Sequence, residues 1–196
     1  MANGGTEQGA VPALPPSPTS PAGLIESYKA LAERNPRDKY ILHWLMMAYL
    51  SQKAYIEGIR EFLVLVTADR ENDQAYMCLG VLYEKGGYQD EAIRSYLRVM
   101  SLNPNEELAY LFLSTRYLFK GEYMNAVNVC LSCLELFPKV ERLQFNLGYA
   151  YAQLREFDKA IEAFQKEIEI NPACSEAYYN IDIINKSKLV SLRLGN

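Results

Sequence analysis

A period of 34 residues runs without a gap from residue 39 to residue 174, dividing that stretch into 39–72, 73–106, 107–140 and 141–174. Two kinds of column recur in register in all four segments. One holds Tyr49, Tyr83, Tyr117 and Tyr151, each preceded by Leu45, Leu79, Leu113 or Leu147; the other holds a small residue, Gly58, Ala92, Ala126 or Ala160. Within 141–174, Leu147, Gly148 and Tyr151 share one face of a first helix, while Ala160, Phe164 and Ile168 recur at helical spacing on a second. Arg155 and Glu156 mark the turn between them. Asn171-Pro172 ends the second helix, because proline supplies no amide donor and disfavours helix in the residue before it. The small column has a steric reason, since two closely crossing helices leave no room for a larger side chain at their contact. Segments of this kind bury their apolar faces by stacking on their neighbours, which predicts an all-α solenoid of antiparallel helix pairs.

At these columns the chain resembles the tetratricopeptide repeat, whose signature places Leu, Gly, Tyr, Ala, Phe and Pro on a 34-residue period. The resemblance covers 39–174 as four full repeats. It implies a right-handed α-solenoid with terminal cap helices, and binding of other proteins rather than catalysis. The first segment departs most from the pattern. Met46 stands where Gly80, Ser114 and Gly148 are small, and Arg70 replaces the terminal proline, so a wider helix crossing is expected there. In the third segment Cys130 replaces an aromatic.

The flanks read differently. Residues 1–20 are rich in Gly, Pro, Ser and Thr and carry too few large apolar groups to offset the entropy of ordering, so a disordered arm is expected, with polyproline ligand character as the alternative. From Ser20-Pro21 the pattern turns helical, and Leu24, Ile25, Tyr28 and Leu31 form a stripe over 21–35 that reads as an N-terminal half repeat. Residues 175–196 begin as another first helix with Tyr178 and Ile181 on the core stripe. Asp182 and Asn185 then fill columns that would face a second helix, which suits a solvated C-terminal capping helix and tail. Leu189, Val190, Leu192 and Leu194 either pack back on the last repeat or form a short docking segment.

With 49% hydrophobic side chains in 196 residues the chain can bury a substantial core. No apolar run is long enough to span a bilayer and no basic leader is visible, so a cytoplasmic location is expected. The balance of 20 basic against 24 acidic residues offers no general attraction for phosphate backbones, so nucleic acid is not an expected partner. His43 is the one histidine, which leaves no Ser-His-Asp relay and no histidine-rich metal cluster. Cys130 and Cys133 form a C-x-x-C, but they fill columns held by Phe62 and Leu65 and by Tyr96 and Val99, so buried thiols acting as apolar fillers are expected. The carboxylates read as solvating charges on exposed positions. No catalytic residue, metal site or cofactor is called for, and the chain is expected not to be an enzyme.

What remains is the surface left after the helix pairs have packed. The resemblance implies a concave wall lined by one stripe of each first helix. That stripe carries His43, Met47 and Leu50, then Met77 and Val81, then Leu111, Thr115, Leu118 and Phe119, then Phe145, Tyr149 and Ala152, with Tyr179 and Ile183 from the cap. Most are large and apolar, and a contiguous patch of that kind marks a binding surface. The expected partner is a protein or peptide segment, apolar or amphipathic. Asn146 and Asn180, one column away, resemble asparagines with which peptide-binding family members hold a ligand's main chain. The Lys and Asn arrangement by which some members clamp a terminal carboxylate is absent, since Met77, Val81 and Leu111 occupy the groove. The expected role is an adaptor or assembly factor. The alternatives are a dedicated chaperone resembling the small repeat chaperones of type III secretion, a scaffold that forms homo-oligomers, and a groove covered by the chain's own termini.

Overall fold

The computed structural model describes residues 21–194, and side chains from Ala22 to Leu189. The expected arm at 1–20 and the side chains of Val190, Leu192 and Leu194 lie outside the described residues. Among the described residues there are ten α-helices and no strands, and the chain divides after Tyr88 into two compact units.

The first unit holds α1 (Pro21–Arg34), α2 (Lys39–Ser51), α3 (Tyr55–Ala68) and α4 (Asp73–Gly86). Its core is built from Tyr28 and Ala32 on α1, Leu42 and Leu45 on α2, Phe62 on α3, and Leu79 and Leu82 on α4. Asp38 starts α2, its carboxylate accepting from the Tyr40 and Ile41 amides. Asn72 does the same for α4 and more. It is buried, its Oδ1 accepts from the Ala75 amide at 3.0 Å, and its Nδ2 donates to the Pro36 carbonyl at 2.6 Å, tying the segment before α2 to the start of α4. Met46 is buried on α2, and α2 touches α3 over a much shorter stretch than α8 (Leu143–Gln153) touches α9 (Phe157–Ile170) in the second unit.

The second unit comprises α5 (Gln89–Leu102), α6 (Glu107–Lys120), α7 (Tyr123–Leu136), α8, α9 and α10 (Ser175–Leu194), each helix packed on the next. Leu113, Cys130, Cys133, Leu143, Ala160 and Phe164 are fully buried. Gly148 leaves room for its partner helix, because a Cβ there would lie 2.8 Å from the Phe164 ring and force one of them to shift. On α10 the core side is Ala177, Ile181 and Ile184, not Tyr178 and Ile181 as expected. Tyr178 is half exposed, since no described helix packs on its side of α10. Asp182 and Asn185 are exposed.

One turn conformation follows α2, α4, α6 and α8 alike. Lys53, Gly87, Gly121 and Arg155 all have left-handed φ, at 54°, 88°, 74° and 62°. In each case the next residue's amide donates back to a carbonyl of the tyrosine column, Tyr49, Tyr83, Tyr117 or Tyr151, at 2.8–3.0 Å. This is the hydrogen-bonded stop by which helices satisfy their last carbonyls.

Candidate functional site

The columns expected to line a groove fall on α2 and α4 of the first unit and on α6, α8 and α10 of the second. In the first unit His43 and Met47 are exposed, Met47 at 48%, while Met77 and Val81 are half-buried. In the second unit Leu111, Thr115, Leu118, Phe145 and Tyr149 are half-buried, and Phe119 and Tyr179 stand out at 79% and 66% exposure. Ile183, one turn beyond Tyr179, is also exposed. The guanidinium of Arg116 lies 5.4 Å from the centre of the Phe119 ring, so that ring is held without being covered by the core.

Three expected positions are tied up inside the protein. Asn146 is 6% exposed, and its Nδ2 donates to Ser114 Oγ at 2.9 Å and to Thr115 Oγ1 at 3.1 Å. Its amide therefore bridges α8 to α6, and its donor is not free to bond a ligand's main chain. Asn180 donates to the Glu176 carbonyl of its own helix at 2.7 Å. Phe145 packs on Phe164 with ring centres 5.5 Å apart and is faced from outside by the Arg142 guanidinium at 4.9 Å. It belongs to the core cluster as much as to any groove.

The expectation that carboxylates serve only as solvating charge fails at Glu167. This residue of α9 is fully buried and accepts from the Arg142 amide at 3.0 Å and the Phe145 amide at 3.2 Å. The residue at the start of α8 is Arg142, whose side chain has no acceptor to offer, so the helix's unpaired amides are met from across the helix pair. Burial pushes the Glu167 carboxyl up from the ordinary glutamate value, against the opposing pull of the two amides. Two departures from the columns signal this residue. Glu167 stands where Leu65, Val99 and Cys133 are apolar, and Val140 stands where Asp38 and Asn72 cap their helices.

The four cysteines are free and buried. Burial pushes the thiols of Cys78 and Cys130 up to about 12 and that of Cys133 up to about 11, so none of these three presents a thiolate at neutral pH. The C-x-x-C at 130 and 133 fills the core. Among the described residues no group of three or more His, Cys, Asp or Glu could hold a metal ion, and no helix is long and apolar enough to cross a membrane.

Comparison with known proteins follows the same columns. The tetratricopeptide repeat profiles match residues 142–174 and 73–106. A crystal structure of MamA is 26% identical over 71% of this chain and 82% of that one, with a TM-score of 0.68. MamA from Desulfovibrio magneticus RS-1 is 20% identical over 84% of this chain and 85% of that one, with a TM-score of 0.67. YrrB, described as a TPR protein with an unusual peptide-binding site, is 22% identical over 79% of this chain and 80% of that one, with a TM-score of 0.65. No curated protein matched the sequence.

Proposed function

We propose that this chain, which tetratricopeptide-repeat profiles match over residues 73–106 and 142–174, is a non-catalytic interaction module, an adaptor or assembly factor that takes an apolar or amphipathic segment of a partner protein. The observation that carries the reading is the exposure of large rings in first-helix columns. Phe119 and Tyr179 are further from burial than a monomer's packing asks, and Tyr179 continues the column of Met77, Leu111 and Phe145. Aromatic side chains presented in this way are the usual anchors of a protein interface, each contributing about 2 kcal/mol or more where a partner buries it. Leu111, Leu118 and Tyr149, among the other residues expected on the stripe, are half-buried and add apolar surface to it. The peptide-binding site ascribed to YrrB, a protein of the same fold, is consistent with this use.

The test uses exposed positions, since Phe145 also supports the core. Affinity purification from the native source, followed by mass spectrometry, identifies what the wild-type chain retains. Phe119→Ser combined with Tyr179→Ser leaves the helical circular dichroism unchanged and weakens that retention by about 30-fold or more, the equivalent of about 2 kcal/mol. Retention undiminished by the pair rejects the groove. Sedimentation of the isolated chain separates a foreign partner from a second copy, because self-association through these rings appears as a concentration-dependent mass that the same pair abolishes.

A further inference from the structure

The tyrosine column borders a cleft at both ends of the 34-residue period, and the two clefts differ in charge. In the last segment Leu131 of α7, Tyr151 of α8, and Lys159, Glu162 and Lys166 of α9 wall a cleft of about 230 Å³. The chain supplies its own cation there, since the Lys159 ammonium lies 5.3 Å from the centre of the Tyr151 ring. In the same columns three intervals earlier stand Lys29, Tyr49, Glu57, Arg60 and Val64. With Ile25, Glu26 and Glu61 they wall a cleft of about 510 Å³ between α1, the end of α2, and α3. That volume falls in the range of about 300–1,000 Å³ typical of sites that enclose small ligands or single side chains. Glu57 holds the position of Lys159, so an acid stands where the last segment has its ammonium.

Tyr49 is only 4% exposed, yet among the described residues its hydroxyl makes no hydrogen bond, and it is not sealed from solvent. Burial pushes its phenol up from the ordinary tyrosine value, and the charges of Glu61, Glu26 and Glu57 push the same way against Lys29, so the charges that act on this oxygen are walls of the cleft. Lys29 is engaged by Glu61 at 3.0 Å. Glu26 and Glu57 are exposed, and among the described residues their side chains make no hydrogen bond or ion pair, while the walls together carry one net negative charge. Among the described residues no group of three carboxylates could hold a metal ion, so the site suits a charge carried on a stem, for which Ile25 and Val64 offer apolar surface. Residues 1–20 contain no lysine or arginine, so the stretch before α1 does not supply such a side chain. We propose that the cleft receives a lysine side chain of a partner polypeptide, its ammonium standing in for the one that Lys159 supplies internally and donating to Tyr49 Oη and to the carboxylates of Glu26 and Glu57. None of the residues expected to line the first-helix groove walls this cleft, so the two sites are separable.

The experiment titrates the full chain, isotopically labelled for NMR, with N-acetyl-L-lysinamide and, in parallel, N-acetyl-L-norleucinamide, which keeps the stem and lacks the ammonium. The lysine probe shifts the Tyr49 ring and Glu57 amide signals saturably, and the norleucine probe binds about tenfold more weakly. Glu57→Lys, which gives this cleft an ammonium of its own as in the last segment, removes the response. Tyr49→Phe keeps the ring, deletes only the hydroxyl, and weakens binding of the lysine probe about fivefold. No saturable shift, equal affinity for the two probes, a shift reproduced by potassium chloride at the same ionic strength, an affinity unchanged in Tyr49→Phe, or a response that survives Glu57→Lys would each overturn the proposal.

Discussion

Removing the Glu167 side chain is the most direct test of how the second unit is held. Glu167→Ala strands the Arg142 and Phe145 amides at the buried start of α8 and deletes two hydrogen bonds to a charged acceptor. Bonds of that kind contribute about 1.5–3 kcal/mol each, and part of the loss is offset because a carboxylate no longer has to be buried. The upward displacement of its carboxyl shows that this burial carries a cost. The net expectation is a loss of about 3 kcal/mol, which for a chain of this size lowers Tm by about 6–12 °C. Circular dichroism at 222 nm during heating reads the global effect. Hydrogen exchange localises it: the Arg142 and Phe145 amides exchange faster by more than the change in global stability accounts for, while the Leu113 amide follows the global change. A Tm within 2 °C of wild type, or exchange at Arg142 and Phe145 no faster than at Leu113, refutes the cross-helix cap.

The same residue gives a pH dependence with an unusual sign. Because the folded state raises the Glu167 carboxyl, the native form binds the proton more tightly, so its contribution to stability falls as pH rises through the window above the ordinary glutamate value. Relative to Glu167→Gln, the wild type is more stable near pH 4 than at pH 7 in urea denaturation, and a difference that grows with pH contradicts this. Asp69, Asp90 and Glu162, held below the usual carboxylate range by Arg37, Lys120 and Lys166, act in the opposite direction, losing their contribution as pH falls, and cancel in that comparison. Gly148→Ala puts a Cβ 2.8 Å from the Phe164 ring, and about 2 kcal/mol of overpacking outweighs the gain of about 1 kcal/mol in helix propensity, so a net loss of about 1 kcal/mol is expected in denaturant titration. Unchanged or higher stability would mean that the helix pair is looser than described. Cys78, Cys130 and Cys133 resist a thiol reagent at pH 8 in the native protein and react at once in guanidinium; rapid native labelling of any of them defeats their role as core filler.

The period made much of this architecture legible. The columns of Leu45, Tyr49 and Gly58 and their successors give the rotation of each helix about its axis, and that is enough to place the buried small residues and the turns. It does not say which side chains meet across helices. Asn146 lies one column from the expected stripe, where its amide would reach a ligand, yet Ser114 and Thr115 lie close enough to claim it. Phe145 likewise lies in the column of Leu111 but turns onto Phe164. Tyr178 shares a column with buried Tyr110 and is half exposed, because burial depends on what packs next and not on the helix's own pattern. Glu167 was readable only as an exception, a polar residue in an otherwise apolar column. The physical content of such an exception lies in the neighbour it serves.

The four left-handed turns carry a consequence for how freely this sequence can drift. Gly87 and Gly121 adopt that conformation without steric penalty, whereas Lys53 and Arg155 incur about 1 kcal/mol for it. Both of the latter are exposed cations sitting at the carboxyl end of a helix, where a positive charge recovers about 0.3–1 kcal/mol from the helix dipole. Backbone licence and electrostatic anchoring are therefore near-equivalent currencies at these corners. Exchange between glycine and a basic residue there is close to neutral for the architecture, and what it alters is the distribution of positive charge along the rim.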